Sequence, residues 1–297
     1  MPRRATPMNV VTAINDFRRM VSGPKVDAGH RRATVIAVAA QKGGVGKTTS
    51  AVHLAAGLAQ FHGLKTLLID MDAQGHVGMS TRAINRGATG ETLSEVLLQK
   101  KRDLQEVVRP TRIDGLWVIE SDRDLNTTEQ LMAARIGKEL LLKNALKLAR
   151  THFDVIVIDC PPNTGSLTVN ALVAADRVMI PCDLSLLSLD GVTGMLETVE
   201  TVQETLNPQL QLLGLLRTRV DRRNQTVNAA IEKTLEERYG AALLRSDIGI
   251  ATDITKAQLA GVSVFEHAPR SRAAASYESL CLEVHERLFG HARALYS

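Results

Sequence analysis

The sequence predicts an α/β fold, a mostly parallel, doubly wound sheet with helices on both faces. Three observations carry this. From residue 33 onward, short β-branched runs alternate with longer segments of helical periodicity. Most of the short runs are nearly all apolar, as strands covered on both faces must be. A glycine-rich turn joins the first strand to the first helix, and acidic residues stand at the ends of two others.

In chain order, the strand candidates are Thr34 to Ala39, Thr66 to Asp70, Leu116 to Glu120, Asp154 to Ile158, Val178 to Pro181 and Leu212 to Leu216. Between them, Thr48 to Phe61, Leu131 to Arg150, Ser166 to Ala174, Gly191 to Thr205 and Thr226 to Arg238 place apolar residues at helical spacing, and Tyr277 to Phe289 reads as a last core helix. No repeat or second-domain linker interrupts the series. Residues 33–297 are therefore expected to form one domain, a size that buries its core without disulfides or structural metal. Residues 1–32 are expected to form a separate arm. Within it Val10, Val11, Ile14, Phe17 and Val21 share one helical face, and Gly23-Pro24 ends the helix. A helix this short needs a surface to dock on.

Charge separates the same two parts. The arm holds seven basic residues (Arg3, Arg4, Arg18, Arg19, Lys25, Arg31, Arg32) against Asp16 and Asp27, leaving 29 basic against 30 acidic in the remainder. Excess positive charge gathered in one segment fits contact with a polyanion, either nucleic acid or an anionic membrane. The three cysteines, Cys160, Cys182 and Cys281, form no C-x-x-C pair, which argues against a disulfide scaffold and a zinc site. No secretory signal and no membrane-spanning run is evident, so a cytoplasmic protein is expected.

The chemistry is concentrated after the first strand, in Gln41-Lys42-Gly43-Gly44-Val45-Gly46-Lys47-Thr48-Thr49. Successive N–H groups of such a loop converge on phosphate oxygens, and the helix that follows adds its partial positive charge. In this P-loop reading Lys47 reaches the β- and γ-phosphates and the Thr48 hydroxyl ligates Mg²⁺. The first glycine of the usual pattern falls on Gln41, and a second lysine, Lys42, stands at the mouth of the loop. Asp70 and Asp72 close one strand, Asp72 free to face a γ-phosphate. Asp159 closes another, suited to hold Mg²⁺ through a bound water.

K-G-G-V-G-K-T-T (42–49), D-M-D-A-Q-G (70–75) and D-C-P-P (159–162) together resemble the P-loop NTPases of the ParA and MinD superfamily, the deviant Walker ATPases, and within it the ParA-like partition and positioning proteins. The resemblance covers roughly residues 33–290. It implies ATP and Mg²⁺ as cofactors, with Lys42, Gly43, Gly44, Val45, Gly46, Lys47, Thr48 and Thr49 on the nucleotide. It further implies a homodimer that sandwiches two ATP molecules, Lys42 reaching across to the partner's nucleotide. Asp72 matches the carboxylate that positions or activates the attacking water, so Asp72, Lys42 and Lys47 are the catalytic candidates. Residues 159–166 would sense the γ-phosphate, and Thr218 falls near the adenine.

The same resemblance implies weak intrinsic hydrolysis stimulated by an adaptor protein, and non-specific DNA binding that would associate the protein with the nucleoid. Arg222 and Arg223 fall where such proteins bind DNA backbone. The second arginine expected further on falls instead on Asp253, and Arg219, Lys256, Arg270 and Arg272 are the neighbouring basic candidates. Aromatic residues are too few nearby for base stacking, so binding would be sequence-independent. Two departures are chemical: Ala73 replaces a proline of the D-P-Q-G-N pattern and His76 its asparagine. The competing readings are a MinD-like membrane-associated ATPase, with residues 284–296 or the arm as anchor, and an ATP-dependent small-molecule synthetase on the same fold.

Overall fold

The computed structural model describes residues 32–80, 92–99, 103–221 and 225–290. The helix expected in the arm, Arg222, Arg223 and residues 291–297 lie outside the described residues. In chain order the elements are β1 (Thr34–Val38), α1 (Lys47–His62), β2 (Thr66–Asp70), α2 (His76–Ser80), α3 (Leu93–Leu98), β3 (Arg109–Pro110) and β4 (Leu116–Ile119). There follow α4 (Leu125–Ala133), α5 (Leu141–Ala145), α6 (Ala149–His152), β5 (Val155–Asp159), α7 (Ser166–Ala174), β6 (Arg177–Asp183) and α8 (Leu186–Thr205). The chain continues through β7 (Gln211–Val220), α9 (Gln225–Tyr239), β8 (Leu243–Gly249), α10 (Thr252–Ala260), α11 (Val264–His267) and α12 (Arg272–Phe289).

Among the described residues eight strands form one sheet, in the order β3-β4-β2-β5-β1-β6-β7-β8. All pairs are parallel except the short β3 against β4. The strands β1, β2 and β5 at its centre are the most apolar, and their side chains feed two cores, one on each face. Register sets the chemistry: Val38, the last residue of β1, pairs with Asp159, and Asp159 pairs with Asp70. The phosphate loop and two carboxylates therefore leave the sheet side by side at its carboxyl edge, where open α/β sheets bind ligands.

Three expectations are corrected. The strand placed at 154–158 runs one residue later, because the Asp154 carboxylate accepts the Lys65 N–H at 2.8 Å and caps the strand instead of joining it. The single helix placed at 131–150 is broken: α4 ends at Ala133, Gly137 turns at φ 72°, and α5 and α6 are separate short pieces. The strand β8 was not anticipated; it is a sheet edge in which Leu243, Leu244 and Ile248 are buried but the residues between them are not, so it lacks the apolar run of a central strand.

The helix α1 lies against the sheet and beneath α12, and a Cβ at Gly57 would meet the Cys281 Sγ, so glycine permits that close approach. Within it His53 is 1% exposed, stacked on Tyr277 at 4.4 Å. Its Nδ1 donates to the Thr49 carbonyl at 2.7 Å, and its Nε2 accepts the Val264 N–H at 2.9 Å, an assignment made from the partners. The ring is thus neutral, and burial pushes its pKa down from 6.5 to about 4. As pH falls below 6.5 the unfolded chain takes up this proton first, so stability is lost progressively down to about pH 4, by on the order of 3 kcal/mol. Denaturant unfolding at pH 7.5 and 5 should show this loss in the native sequence and a flatter pH response in His53→Gln. Equal responses in both would remove His53 as the cause.

Candidate nucleotide site

The glycine-rich loop spans the end of β1 and the start of α1. Gly44 and Gly46 take φ values of 75° and 80°, a left-handed conformation that side chains rarely adopt, and Gly46 caps α1. Three of the loop's carbonyls are held by side chains. The Lys47 Nζ donates to the Lys42 O at 3.1 Å, the Thr218 hydroxyl to the Val45 O at 2.7 Å, and the Arg219 Nη1 to the Gly44 O at 3.1 Å. Each such bond fixes the plane of one loop peptide, and with it the direction of the following N–H, so the loop is held in one conformation before an anion arrives.

The two lysines are treated differently. Lys47 is buried, and burial pushes its pKa down against the opposing charges of Asp159, Asp72 and Cys160. Lys42 lies at the loop's mouth, where its Nζ reaches both oxygens of Asp183, at 3.1 and 3.2 Å, and the Ser185 hydroxyl at 3.0 Å. Burial raises the pKa of Asp183, but hydrogen bonds from Ser188, Ser185 and Lys42 outweigh that and hold it below the usual carboxylate value. Asp183 ends β6 next to β1 and was not among the sequence candidates. The strand-end signal that singled out Asp159 was present there too.

On the other side of the loop stand three acidic residues. Asp159 is fully buried and, among the described residues, neither of its oxygens has a hydrogen-bond partner. Burial and the charge of Asp70 raise its pKa well above normal, with Thr48 and Lys47 opposing. A buried carboxylate without partners beside a half-buried threonine hydroxyl fits a hard divalent cation, so Thr48 and Asp159 would hold Mg²⁺. Asp70 has a different task. Its carboxylate accepts the N–H groups of Asp72 at 2.9 Å and Val77 at 3.1 Å, pinning both ends of the loop after β2. Burial nevertheless pushes its pKa up to about 7. Asp72 is mostly buried, and its Oδ1 accepts the Gln74 N–H at 3.0 Å.

A cleft of about 680 Å³ joins these groups, large enough for a nucleotide. Gly43, Gly44, Gly46, Lys47, Thr48, Thr49, Asp72 and Thr218 line it, together with Gln74 and His76. The cleft also has an aliphatic wall of Ile248 from β8, Ile250 just after it, and Ile254 and Leu259 from α10, which the sequence reading missed. Thr49 faces the cleft while its hydroxyl accepts from Gln258 at 2.8 Å. Of the basic candidates, Lys256 is exposed on α10, and Arg270 and Arg272 are exposed on either side of Ser271, which caps α12. In the segment named as a membrane anchor, Val284 is buried and Leu288 packs on the core. No helix among the described residues is long and apolar enough to cross a membrane.

Comparison with known proteins agrees with this fold. Residues 33–212 match a family described as an AAA domain. The chain is 39% identical over 199 residues to the chromosome partitioning protein ParA of Myxococcus xanthus, covering 67% of this chain and 69% of that one. It is 34% identical over 250 residues to the sporulation initiation inhibitor protein Soj of Bacillus subtilis, covering 84% and 97%. Among solved structures, the cobyrinic acid a,c-diamide synthase of Mycobacterium smegmatis with bound ADP and magnesium matches with a TM-score of 0.73 at 31% identity, over 87% of this chain and 96% of that one.

Proposed function

The chain belongs to the AAA-domain family as a ParA-like P-loop ATPase, and from that premise we propose that it partitions or positions DNA or another intracellular cargo. In this reading it hydrolyses ATP weakly, dimerises with ATP bound, and binds non-specific DNA in that state. An adaptor protein stimulates hydrolysis and so releases it, and the protein is cytoplasmic and nucleoid-associated. The observation that carries the proposal is the second lysine: Lys47 already serves the phosphate loop, while Lys42 is kept at its mouth by Asp183 and Ser185. A cation in that place is suited to a phosphate outside its own cradle.

The loop's N–H groups and Lys47 bind the phosphates, and the aliphatic wall of Ile248, Ile250, Ile254 and Leu259 takes the base. Thr48 and Asp159 would hold Mg²⁺, which would supply charge neutralisation at the polyphosphate. Asp72 orients the attacking water. Lys42 leaves Asp183 to reach the partner's nucleotide; their side chains are 33% and 20% exposed, so a contact of this kind is worth only about 1 kcal/mol and yields to a phosphate. Closure only in the triphosphate state gives the difference in surface affinity that a switch needs. No arginine stands in the loop itself, which leaves room for a partner-supplied group worth ~10³ to 10⁵ in related phosphoryl transfer.

The test is binding of the full chain to non-specific duplex DNA and, in parallel, to anionic vesicles, each with a non-hydrolysable ATP analogue and with ADP. DNA binding that needs the analogue and weakens steeply with salt is expected. Binding to vesicles alone would move the protein to the membrane-associated class. Binding to neither would favour small-molecule ligation, the activity carried in the name of the synthase with the same fold.

A further inference from the structure

Among the described residues, Arg219 is the only non-glycine with a positive φ, 53°. Arginine gains nothing locally from this left-handed conformation, unlike asparagine or aspartate, so its surroundings must impose it. It stands at the end of β7 directly after Thr218, where the pairing with β8 loses register between Arg217 and Val220. The turned backbone sends two consecutive side chains to one place. The Thr218 hydroxyl reaches the Val45 O and the Arg219 guanidinium reaches the Gly44 O, two adjacent carbonyls of the phosphate loop. Both residues line the cleft.

We propose that Arg219 is a nucleotide-positioning residue, a clamp from β7 that fixes the Gly44 peptide of the phosphate loop for the polyphosphate of a nucleoside triphosphate, and not a DNA contact. Holding the Gly44 carbonyl fixes the plane of the Gly44–Val45 peptide, as Thr218 does for Val45–Gly46, so the pair holds two consecutive peptides of the phosphate loop in place. The bond uses one of five guanidinium donors, and the exposed remainder keeps a positive charge at the cleft where phosphate oxygens gather. Lysine at this position would offer three ammonium donors on a flexible stem, one of which can serve the carbonyl acceptor.

The inference rests on the ATP reading of the cleft, and one set of titrations separates the two. A fluorescent ATP analogue is titrated into the native sequence, Arg219→Ala, Arg219→Gly and Arg219→Lys, and the melting temperature of each is measured. We expect about tenfold or weaker nucleotide affinity in Arg219→Ala and Arg219→Gly, as for loss of one charge-assisted hydrogen bond, and affinity within about threefold of native in Arg219→Lys. Arg219→Gly relieves the backbone, so it should melt no lower than the native protein while binding nucleotide less well. A purely structural role would move stability and affinity together and overturn the proposal. Native affinity in both Arg219→Ala and Arg219→Gly overturns it too, as does a salt dependence of DNA affinity shallower by ~0.9 in log–log slope at saturating nucleotide, the mark of a lost phosphate contact. If the native protein binds no nucleotide, the ATP reading itself falls and the clamp with it.

Discussion

Lys47→Ala will bind ATP at least about 100-fold more weakly than the native chain, or not at all, while remaining folded. The magnitude follows from where the ammonium sits. It is 7% exposed, between the loop carbonyl of Lys42 and the carboxylates of Asp159 and Asp72. Charge-assisted hydrogen bonds contribute about 1.5–3 kcal/mol each, and a buried cation serving two phosphates supplies more than one, hence a loss of about 3 kcal/mol or more. The fold survives because the carboxylate left behind has a way out: burial already raises the pKa of Asp159 well above normal, and removal of the nearby cation raises it further, so the group can take up a proton. Calorimetric titration with ATP and Mg²⁺, with a melting curve as control, reads both halves. Affinity within tenfold of native would mean that Lys47 serves only to close the loop on the Lys42 carbonyl, and the phosphate cradle would have to lie elsewhere.

What could be read from the sequence was what is local in it. The glycines of 43–46, Lys47 and Thr48 declare a phosphate loop because their roles depend on neighbours within a few residues, and Asp159 declares itself by ending an all-apolar strand. The central strands were legible for the same reason: burial on both faces leaves a continuous apolar run. The broken helices after Ala133 were not, since the apolar spacing continues through Gly137 and only its φ of 72° reveals the turn. In the site, the hidden pieces are those that act across the chain. Asp183 meets Lys42 over 141 positions, Arg219 meets Gly44 over 175, and Asp70 acts through backbone N–H groups that carry no sequence signature. The aliphatic wall at Ile250 and Leu259 escaped notice because single exposed aliphatic residues, one in a connection and one on a short helix, read as ordinary surface.

Asp72→Ala will separate binding from chemistry: hydrolysis should fall by about 10² to 10⁴, the range for loss of a positioned general base, with ATP affinity equal to or tighter than native. Geometry assigns it this role and not that of a phosphate ligand. Its carboxylate lines the cleft, and the loop that bears it is pinned at both ends by Asp70, so a water held there would be held with little freedom. Ala73 gives that loop less stiffness than proline would, and the Asp70 hydrogen bonds make up for it. Removing an anion beside the triphosphate also removes repulsion, which is why affinity should not drop. Single-turnover hydrolysis with ATP and Mg²⁺, together with light scattering, tests both parts. A rate within tenfold of native would take the water-positioning role from Asp72. A variant that stays monomeric with saturating ATP would contradict the nucleotide sandwich, because Lys42 is intact in it and the triphosphate persists, so nothing else in the proposed mechanism could keep two subunits apart.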